Sequence, residues 1–319
     1  MAPEMNKRFF QFTSIALLFA SVGAAYAVPV PVTSNGECTS QLDSVQISKI
    51  EPMLPTGTGF SPSGTSIGGM SYPIHSTNCL GFVITPDNDW GNSPNPNQGK
   101  LGDGLLNEQP SKPKGKKDPT QYVVEGDYFL THANDSMVDL DGDGNKTDPG
   151  WIRLGGSDTG AGTGAWAFNY DFINGYDLDA VLDITFGINN NAFGGGYWSI
   201  KVDPAAIPFA TMVLGRPSLF DHLAFVMKGS NNQEASWAIF DFNFYDLIDD
   251  GLDISLGDTA YYFEGYWDAG VINGQNLSHV SIWAHDPPTS GQDVPAPLPI
   301  LLIGTGLLLL CQTRGKRRA

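Results

Sequence analysis

The sequence predicts an all-β fold, a β-sandwich of the jelly-roll type, and three observations support that class. Apolar and polar residues alternate with period two from Leu182 to Ile188 and from Trp198 to Val202, as expected for strands with one buried face. The 38 glycines and 22 prolines interrupt the chain every few residues. Between the two ends of the chain, no window of about 11 residues carries an apolar helical face.

Further short strands are predicted along the second half of the chain. Residues Leu223 to Met227 alternate in the same way, and Val280 and Ile282 share one phase. From Trp237 to Phe244 the alternation changes phase, and a bulge within one long strand would reconcile its two halves. Strand signals are dense at 120–290 and sparse at 28–119. The sequence therefore predicts a β-sandwich at 120–290 that is preceded by a loop-rich N-terminal region.

The N-terminus carries the three parts of a secretory signal peptide, which we assign to residues 1–27. Lys7 and Arg8 precede an apolar stretch from Phe9 to Val22, and Ala25 and Ala27 form a small-residue cleavage site. The alternative is a permanent membrane anchor. That stretch is shorter than the roughly 20 residues that a membrane-spanning helix needs, so cleavage after Ala27 is the preferred interpretation.

The C-terminus, residues 294–319, has a proline-rich start, an apolar run and a basic end. The prolines would keep the chain before the run extended, and the basic residues would stay on the cytoplasmic side of a membrane. The apolar run predicts a short hydrophobic helix of roughly 21 Å, well below a ~30 Å hydrocarbon core. The residues that define this tail are Val294, Pro295, Pro297, Arg314, Lys316, Arg317 and Arg318.

This tail resembles that of the PEP-CTERM proteins, whose signature is Val-Pro-Glu-Pro, followed by a Leu/Gly-rich helix and an Arg-rich end. Ala296 stands where the signature has Glu. The resemblance implies that an exosortase, a membrane-embedded processing enzyme, recognises the tail in a bacterium that makes exopolysaccharide. It also implies a protein that is exported, tethered to the inner membrane in transit, and then located at the cell surface or outside the cell.

The charge of the exported part argues against a nucleic-acid partner. The whole chain carries a formal charge of −17, and without its two basic ends the charge falls to about −22. Phosphate binding needs a patch of Lys and Arg, and an acidic surface repels it. The one lysine cluster, at 112–117, lies among prolines and glycines and predicts a solvated loop.

Two cysteines, Cys38 and Cys79, lie in the predicted exported part, and Cys311 lies in the tail. An even count in an oxidising compartment favours a disulfide between Cys38 and Cys79. The alternative is a pair of buried thiols.

The motif with the clearest chemistry is an acidic loop with alternate aspartates and a glycine at its sixth position. Such loops begin EF-hand and dockerin-type calcium sites, where oxygen ligands converge on a hard cation. Gly150 occupies the twelfth position, where those loops place a bidentate glutamate. The alternative is an Asp-Gly turn without a metal. The predicted Ca²⁺ ligands are Asp139, Asp141, Asp143, Asn145 and Asp148.

Catalytic signatures have weak support in this sequence. Ser66 lies in a Gly-x-Ser-x-Gly pattern, but its surroundings predict a loop rather than the strand and helix that a nucleophile elbow needs. The five histidines are not spaced as zinc-hydrolase ligands, and a second acidic cluster, at 249–253, predicts a solvated turn.

Two functional hypotheses follow from these observations. The first is a non-catalytic surface or matrix protein that is stabilised by calcium and binds carbohydrate through exposed tryptophans, for which Trp90, Trp151, Trp166 and Trp267 are candidates. The alternative for these tryptophans is burial in the core, which their large apolar area favours. The second is a secreted hydrolase that acts on polysaccharide through a carboxylate pair. Exposed aromatics would favour the first, and a pair of carboxyls with raised pKa values lining a concave face would favour the second.

Overall fold

A computed structural model describes the central part of the chain, and its fold there is mostly β. The residues that it describes are 36–83, 97–108, 110–111, 121–122, 124–131, 135, 137–158, 164–189, 195–229, 237–268 and 277–286. The predicted signal peptide with Ala25 and Ala27, the predicted tail at 294–319, Trp90 and the lysine cluster lie outside these residues.

The described residues form β-strands, two α-helices and two short 3-10 helices. The strands are β1 Gly36–Glu37, β2 Val45–Thr56, β3 Gly59–Pro62, β4 Ile74–His75, β5 Asn78–Val83, β6 Pro110–Ser111, β7 Gln121–Tyr122, β8 Trp151–Asp158, β9 Gly164–Trp166, β10 Asn169–Tyr170, β11 Phe172–Ile173, β12 Tyr176–Asp177, β13 Leu182–Asn189, β14 Gly195–Val202, β15 His222–Gly229, β16 Trp237–Asn243, β17 Tyr261–Asp268 and β18 Leu277–His285. The helices are α1 Ala206–Leu214 and α2 Phe244–Asp249, and the 3-10 helices are Thr39–Ser44 and Leu178–Ala180.

Most strands belong to two antiparallel sheets. Sheet A has the strand order β1-β5-β16-β15-β18-β8-β10. Sheet B has the order β3-β2-β17-β14-β13-β9, and β4 pairs with β2 beside it. The pairs β6–β7 and β11–β12 form small separate ribbons. The predicted all-β class is confirmed.

Two of the predicted strands are confirmed with their alternation. On β13 the side chains of Ile184 and Phe186 are buried and Asp183 is exposed, and on β14 the side chains of Trp198 and Ile200 are buried. These strands pair with each other over their full length.

The predicted continuous strand from Trp237 to Phe244 needs a correction. Strand β16 ends at Asn243, whose side chain accepts hydrogen bonds from the N–H groups of Tyr245 and Asp246 and so caps α2. All seven residues of β16 are buried, so both of its faces carry apolar side chains. The change of phase in the sequence therefore reflects burial of both faces. The register shift that does occur, where Trp237 meets β5, lies at the start of the strand.

Strands from residues 28–119 are built into both sheets. Strand β2 pairs with β17 in sheet B, and β5 pairs with β16 in sheet A. The sequence pattern concealed β2 because the register shifts between Glu264 and Gly265 and leaves Ser48 as an extra residue. Val45 and Ile47 are buried before that shift and Ile50 after it, which interrupts a simple alternation.

The inner core, which we define as the larger buried apolar cluster, contains side chains from both sheets. Trp198 of sheet B lies 4.7 Å from Phe225 of sheet A, measured between ring centroids. Phe186 stacks on Trp267 at 5.5 Å within sheet B. Both sheets therefore bury apolar side chains in one common core.

A second apolar cluster, which we call the outer cluster, covers the other face of sheet A. Val226, Ile239 and Trp283 point into it from the sheet, and Leu106 and Phe129 come from the loop segments 97–108 and 124–131. These segments, together with residues 137–150, form a loop layer over sheet A. Sheet A is therefore enclosed on both faces.

No helix in the described part of the chain has both the length and the apolar character needed to cross a membrane.

Candidate functional site

The acidic loop lies in the loop layer over sheet A. The structure brings carboxylate oxygens of Asp139, Asp141 and Asp148 to within 4.8 Å of one another. Asp139 and Asp141 are exposed, whereas only 1% of Asp148 is exposed. Three of the five predicted calcium ligands thus converge.

The other two predicted ligands, Asp143 and Asn145, bond to each other. The backbone and side-chain amides of Asn145 donate to the Asp143 carboxylate at 2.7 and 3.0 Å, and they lower the pKa of Asp143. Asp139 accepts the N–H groups of Gly142 and Gly144 at 2.8 and 3.0 Å. Both glycines have positive φ angles, which suit glycine best.

Asp148 holds the base of the loop. One of its carboxylate oxygens accepts the N–H of Leu101 at 2.8 Å, and the other accepts those of Leu140 and Asp141 at 2.6 and 3.0 Å. A backbone bridge between Val138 and Asp148 closes the loop. These hydrogen bonds and the bridge define the shape of the loop.

A buried cluster of histidines and aspartates lies in sheet A. Residues 135 and 149, on either side of the acidic loop, contact it. His222 begins β15 and His285 ends β18, and the two residues are paired across the sheet. His222 contacts Asp241 at 2.8 Å and Asp135 at 3.2 Å. His285 contacts Asp221 at 2.6 Å and the backbone oxygen of Pro149. The side chains in the three imidazole–carboxylate contacts have no exposed surface.

The charges in this cluster are strongly coupled. Burial lowers the pKa of His222, but the charge of Asp241 and the hydrogen bonds with Asp135 and Asp241 outweigh it and raise that pKa well above its usual value. Burial raises the pKa of Asp241, and His222 opposes the rise. Burial also raises the pKa of Asp286 to about 6, although Arg216 forms an ion pair with it at 2.9 Å.

Sheet B differs because no described segment packs over its outer face. Tyr266 on β17 is 49% exposed and stands opposite Tyr197 on β14. On the same face, Ser199 and Glu264 form the next pair, and Lys201 and Tyr262 form the pair after it, four residues along each strand. Gly187 stands opposite Tyr197 on β13, so no neighbouring side chain covers the tyrosine from that strand. We call this set of side chains the tyrosine face.

Polar groups surround these rings. The hydroxyl of Tyr262 donates to Glu264 at 2.9 Å, and Lys49 pairs with Glu264 at 3.1 Å while lying 5.2 Å from the centre of the Tyr262 ring. The hydrogen bond with Glu264 raises the pKa of Lys49, so this amine stays charged. Partial burial raises the pKa of Tyr262, so its hydroxyl keeps its proton. The tyrosine face thus combines apolar ring area with charged and hydroxyl groups.

The tryptophans proposed from sequence as exposed aromatics require a correction. Trp151 and Trp267 are 1% and 4% exposed, and Trp166 is half-buried against Phe186 and Trp267. Their large apolar area places them in the cores. Tyrosines occupy exposed positions instead. The alternation of a strand predicts only that such positions face solvent, and it does not predict a role for them.

The structure places the catalytic candidates of the sequence as follows. Ser66 is exposed in the loop between β3 and β4, and that loop leads into no helix. The described carboxyls with raised pKa values are Asp103, Asp241 and Asp286. Asp241 and Asp286 have no exposed surface, and Asp103 is 6% exposed and accepts the backbone N–H groups of Gln98 and Lys100. The acidic residues at 249–253 lie at the exposed end of α2.

Cys38 and Cys79 form a disulfide, with their Cα atoms 5.2 Å apart. The bond joins the segment before β2 of sheet B to β5 of sheet A.

No protein-family profile, curated protein sequence or solved structure matches this chain.

The buried histidine cluster is the feature that sequence reasoning missed. Its signal is a pair of mirrored dipeptides, Asp221-His222 at the start of β15 and His285-Asp286 at the end of β18. Antiparallel pairing of those two strands brings the dipeptides together, so the signal becomes visible only when the pairing is known.

Proposed function

We propose that this protein is a non-catalytic, exported carbohydrate-binding protein of the bacterial surface or extracellular matrix. The observation that carries the proposal is the tyrosine face, with Tyr197 and Tyr266 adjacent on an open sheet surface and charged groups beside them. Aromatic rings with a polar tip stack on the apolar faces of sugars, while nearby carboxylate, amine and hydroxyl groups bond to sugar hydroxyls.

The ligand class is a neutral polysaccharide. The tyrosine face carries both signs of charge, with Lys49 and Lys201 beside Asp183 and Glu264. The chain as a whole is strongly acidic at −17, which disfavours a polyanionic glycan. A neutral exopolysaccharide of the producing cell fits both properties.

The architecture that we propose for this role is a jelly-roll type β-sandwich of sheets A and B. Its support is the single inner core to which both sheets contribute. Sheet A is covered by the loop layer, so the binding surface that we propose is the outer face of sheet B.

Calcium at the acidic loop is part of this proposal. Its support is the convergence of Asp139, Asp141 and Asp148 on a loop that is already shaped. An ion that binds only the folded state would stabilise the loop layer by mass action.

Export and processing complete the proposal. A signal peptide at 1–27 would deliver the chain, and an exosortase-type enzyme would recognise the tail at 294–319 while it is held in the inner membrane. The test is intact-protein mass spectrometry of the chain expressed in a bacterium with an exosortase and in a matched strain without one. Loss of the tail only in the first strain supports the proposal, and an identical C-terminus in both strains contradicts it.

Binding is tested by retention of the purified protein on a panel of neutral and anionic glycans. We expect retention on a neutral glycan, and a loss of affinity of at least about tenfold in Tyr266→Ala and in Tyr197→Ala. Tyr176→Ala is the matched control, because Tyr176 is 50% exposed but belongs to the separate β11–β12 ribbon. Equal retention of all variants, or no retention on any glycan, would overturn the assignment.

A further inference from the structure

The buried cluster around His222 and His285 has no part in the proposed carbohydrate site, and its geometry is unusual for structural histidines. The two rings lie 5.2 Å apart between centroids and are nearly perpendicular at 82°. Neither residue has more than 1% of its surface exposed. Two adjacent imidazoles in an enclosed site require either compensating charges or a ligand that both rings bind.

The hydrogen bonds of His285 define the roles of its two nitrogens. Nε2 contacts the backbone oxygen of Pro149, which can only accept, so Nε2 carries a proton. Nδ1 lies 2.6 Å from Oδ1 of Asp221, the distance of a hydrogen bond, so a metal ion at this nitrogen would replace the proton that the two atoms share. A ring that donates from one nitrogen to a backbone carbonyl and presents the other beside a carboxylate has the arrangement of a metal-binding histidine with its supporting hydrogen bond.

His222 is arranged in a similar way. Its Nδ1 lies 2.8 Å from Asp241 and its Nε2 lies 3.2 Å from Asp135, so each ring nitrogen faces a carboxylate. One carboxylate can hold the ring by accepting its N–H, which leaves the second nitrogen and the second carboxylate as a pair of ligands. Asn243 donates to the other oxygen of Asp135 and keeps that side chain in place.

Two carboxylate oxygens of the cluster accept no hydrogen bond from any described residue. They are Oδ2 of Asp221 and Oδ1 of Asp241, and both residues have no exposed surface. A buried carboxylate oxygen without a donor is costly, so such a group calls for a specific explanation. A cation between these side chains would provide one.

We propose that Asp221, His222 and His285 bind one divalent transition-metal ion, with Asp135 or Asp241 as the fourth ligand. Donor atoms of the three residues already lie within 4.8 Å of one another. Ligand atoms around a tetrahedral Zn²⁺ are roughly 3.3 Å apart, so small movements complete the site. Two imidazoles with carboxylates select Zn²⁺ over Ca²⁺, which distinguishes this site chemically from the acidic loop.

Charge balance agrees with a divalent ion. Asp135, Asp221 and Asp241 supply three negative charges. Two imidazolium rings would offset two of these charges, and one divalent ion with two neutral rings would offset the same number. Only the ion also gives partners to the two carboxylate oxygens that lack donors. The competing interpretation is an ion-pair network held by protons alone. The site is enclosed by protein, so the ion's role is structural and joins residues 135 and 149 to sheet A.

The experiment is metal binding to the full chain, freed of metal with a chelator and then titrated with Co²⁺ and Zn²⁺. We expect one Co²⁺ per chain with the intense visible absorption of a tetrahedral site, and displacement of that signal by one equivalent of Zn²⁺. His285→Gln should weaken Co²⁺ binding by more than about 100-fold. His279→Gln, on the same strand, and Asp139→Asn, in the acidic loop, are controls that should leave the spectrum unchanged.

The wild-type titration decides the matter even if His285→Gln fails to fold. Absence of stoichiometric binding to the wild-type chain, or a weak octahedral spectrum, would show that the cluster is an ion-pair network and would overturn the proposal. The same conclusion follows if a folded His285→Gln protein, checked by circular dichroism, gives the wild-type spectrum.

Discussion

Sheet A and sheet B are built from similar strands but have different surroundings. Every residue of β15 and β16 in sheet A is buried, whereas β17 of sheet B alternates between buried and half-exposed or exposed positions. The difference arises because the loop layer covers sheet A, while the outer face of sheet B is open. Charged groups in sheet A are therefore enclosed and paired, and those of sheet B are available to a ligand.

The comparison predicts its largest effect for an aromatic residue beneath the loop layer. Trp151 packs against Phe129 in the outer cluster and against both buried histidines. We expect Trp151→Ala to lower the free energy of unfolding by about 3 to 5 kcal/mol, because it leaves a large cavity. Urea denaturation measures the change. A loss below about 1 kcal/mol would mean that the loop layer adds little to sheet A.

A smaller loss is expected where the loop layer is fastened to sheet A by a side chain. Asn107 is fully buried, donates to the backbone oxygen of Trp151 at 2.7 Å and accepts its N–H at 3.0 Å. Asn107→Ala leaves both backbone groups without that partner, and we expect a cost of about 2 to 4 kcal/mol. Asn169→Ala, at an exposed position of β10, is the control and should cost less than about 0.5 kcal/mol.

Calcium removal should affect the two sheets unequally. If the acidic loop binds Ca²⁺, a concentration of 100 times Kd stabilises the fold by about 2.7 kcal/mol, and chelation removes that amount. We expect hydrogen exchange to rise after chelation at 137–158 and to change little in β13 and β14. Asp139→Asn should abolish the response, whereas Asp183→Asn on sheet B should not. If the chelator leaves the thermal midpoint of unfolding unchanged, the loop is an acidic turn that binds no calcium.

The smallest stability effect is expected on the open face. Tyr266→Ala removes an exposed ring that fills no cavity, so the free energy of unfolding should change by less than about 0.5 kcal/mol. The same denaturation experiment as for Trp151→Ala checks this value. A loss comparable to that of Trp151→Ala would show that the tyrosine face is covered and would remove the basis for a glycan site.

The same contrast explains how much of the fold could be predicted from sequence. Strands β13 and β14 were predictable because one face packs in the core and the other faces solvent. This produces the alternation of Ile184 and Phe186 with Asp183. Strand β16 gave a misleading signal because both faces are buried. Strand β2 was concealed by its extra residue, Ser48.

The candidate sites follow a similar rule. The acidic loop could be recognised because its predicted ligands are close together along the chain. In the structure, the carboxylates of three of them lie close together. The histidine cluster joins residues 221, 222, 241 and 285, which the pairing of β15 with β16 and β18 brings together, and residue 135 contacts it from outside the strands. The tyrosine face depends on which side of sheet B stays uncovered, and no local pattern specifies that.

The sheet borders bear on how copies of this protein behave when they are crowded together. Among the described residues, the outermost strands of both sheets, β1, β10, β3 and β9, are only two to four residues long. Long open edges recruit strands from neighbouring molecules and start aggregates, whereas short ones offer few unpaired backbone groups. Copies packed side by side should therefore remain separate, even though their sheets are wide and rich in aromatic residues.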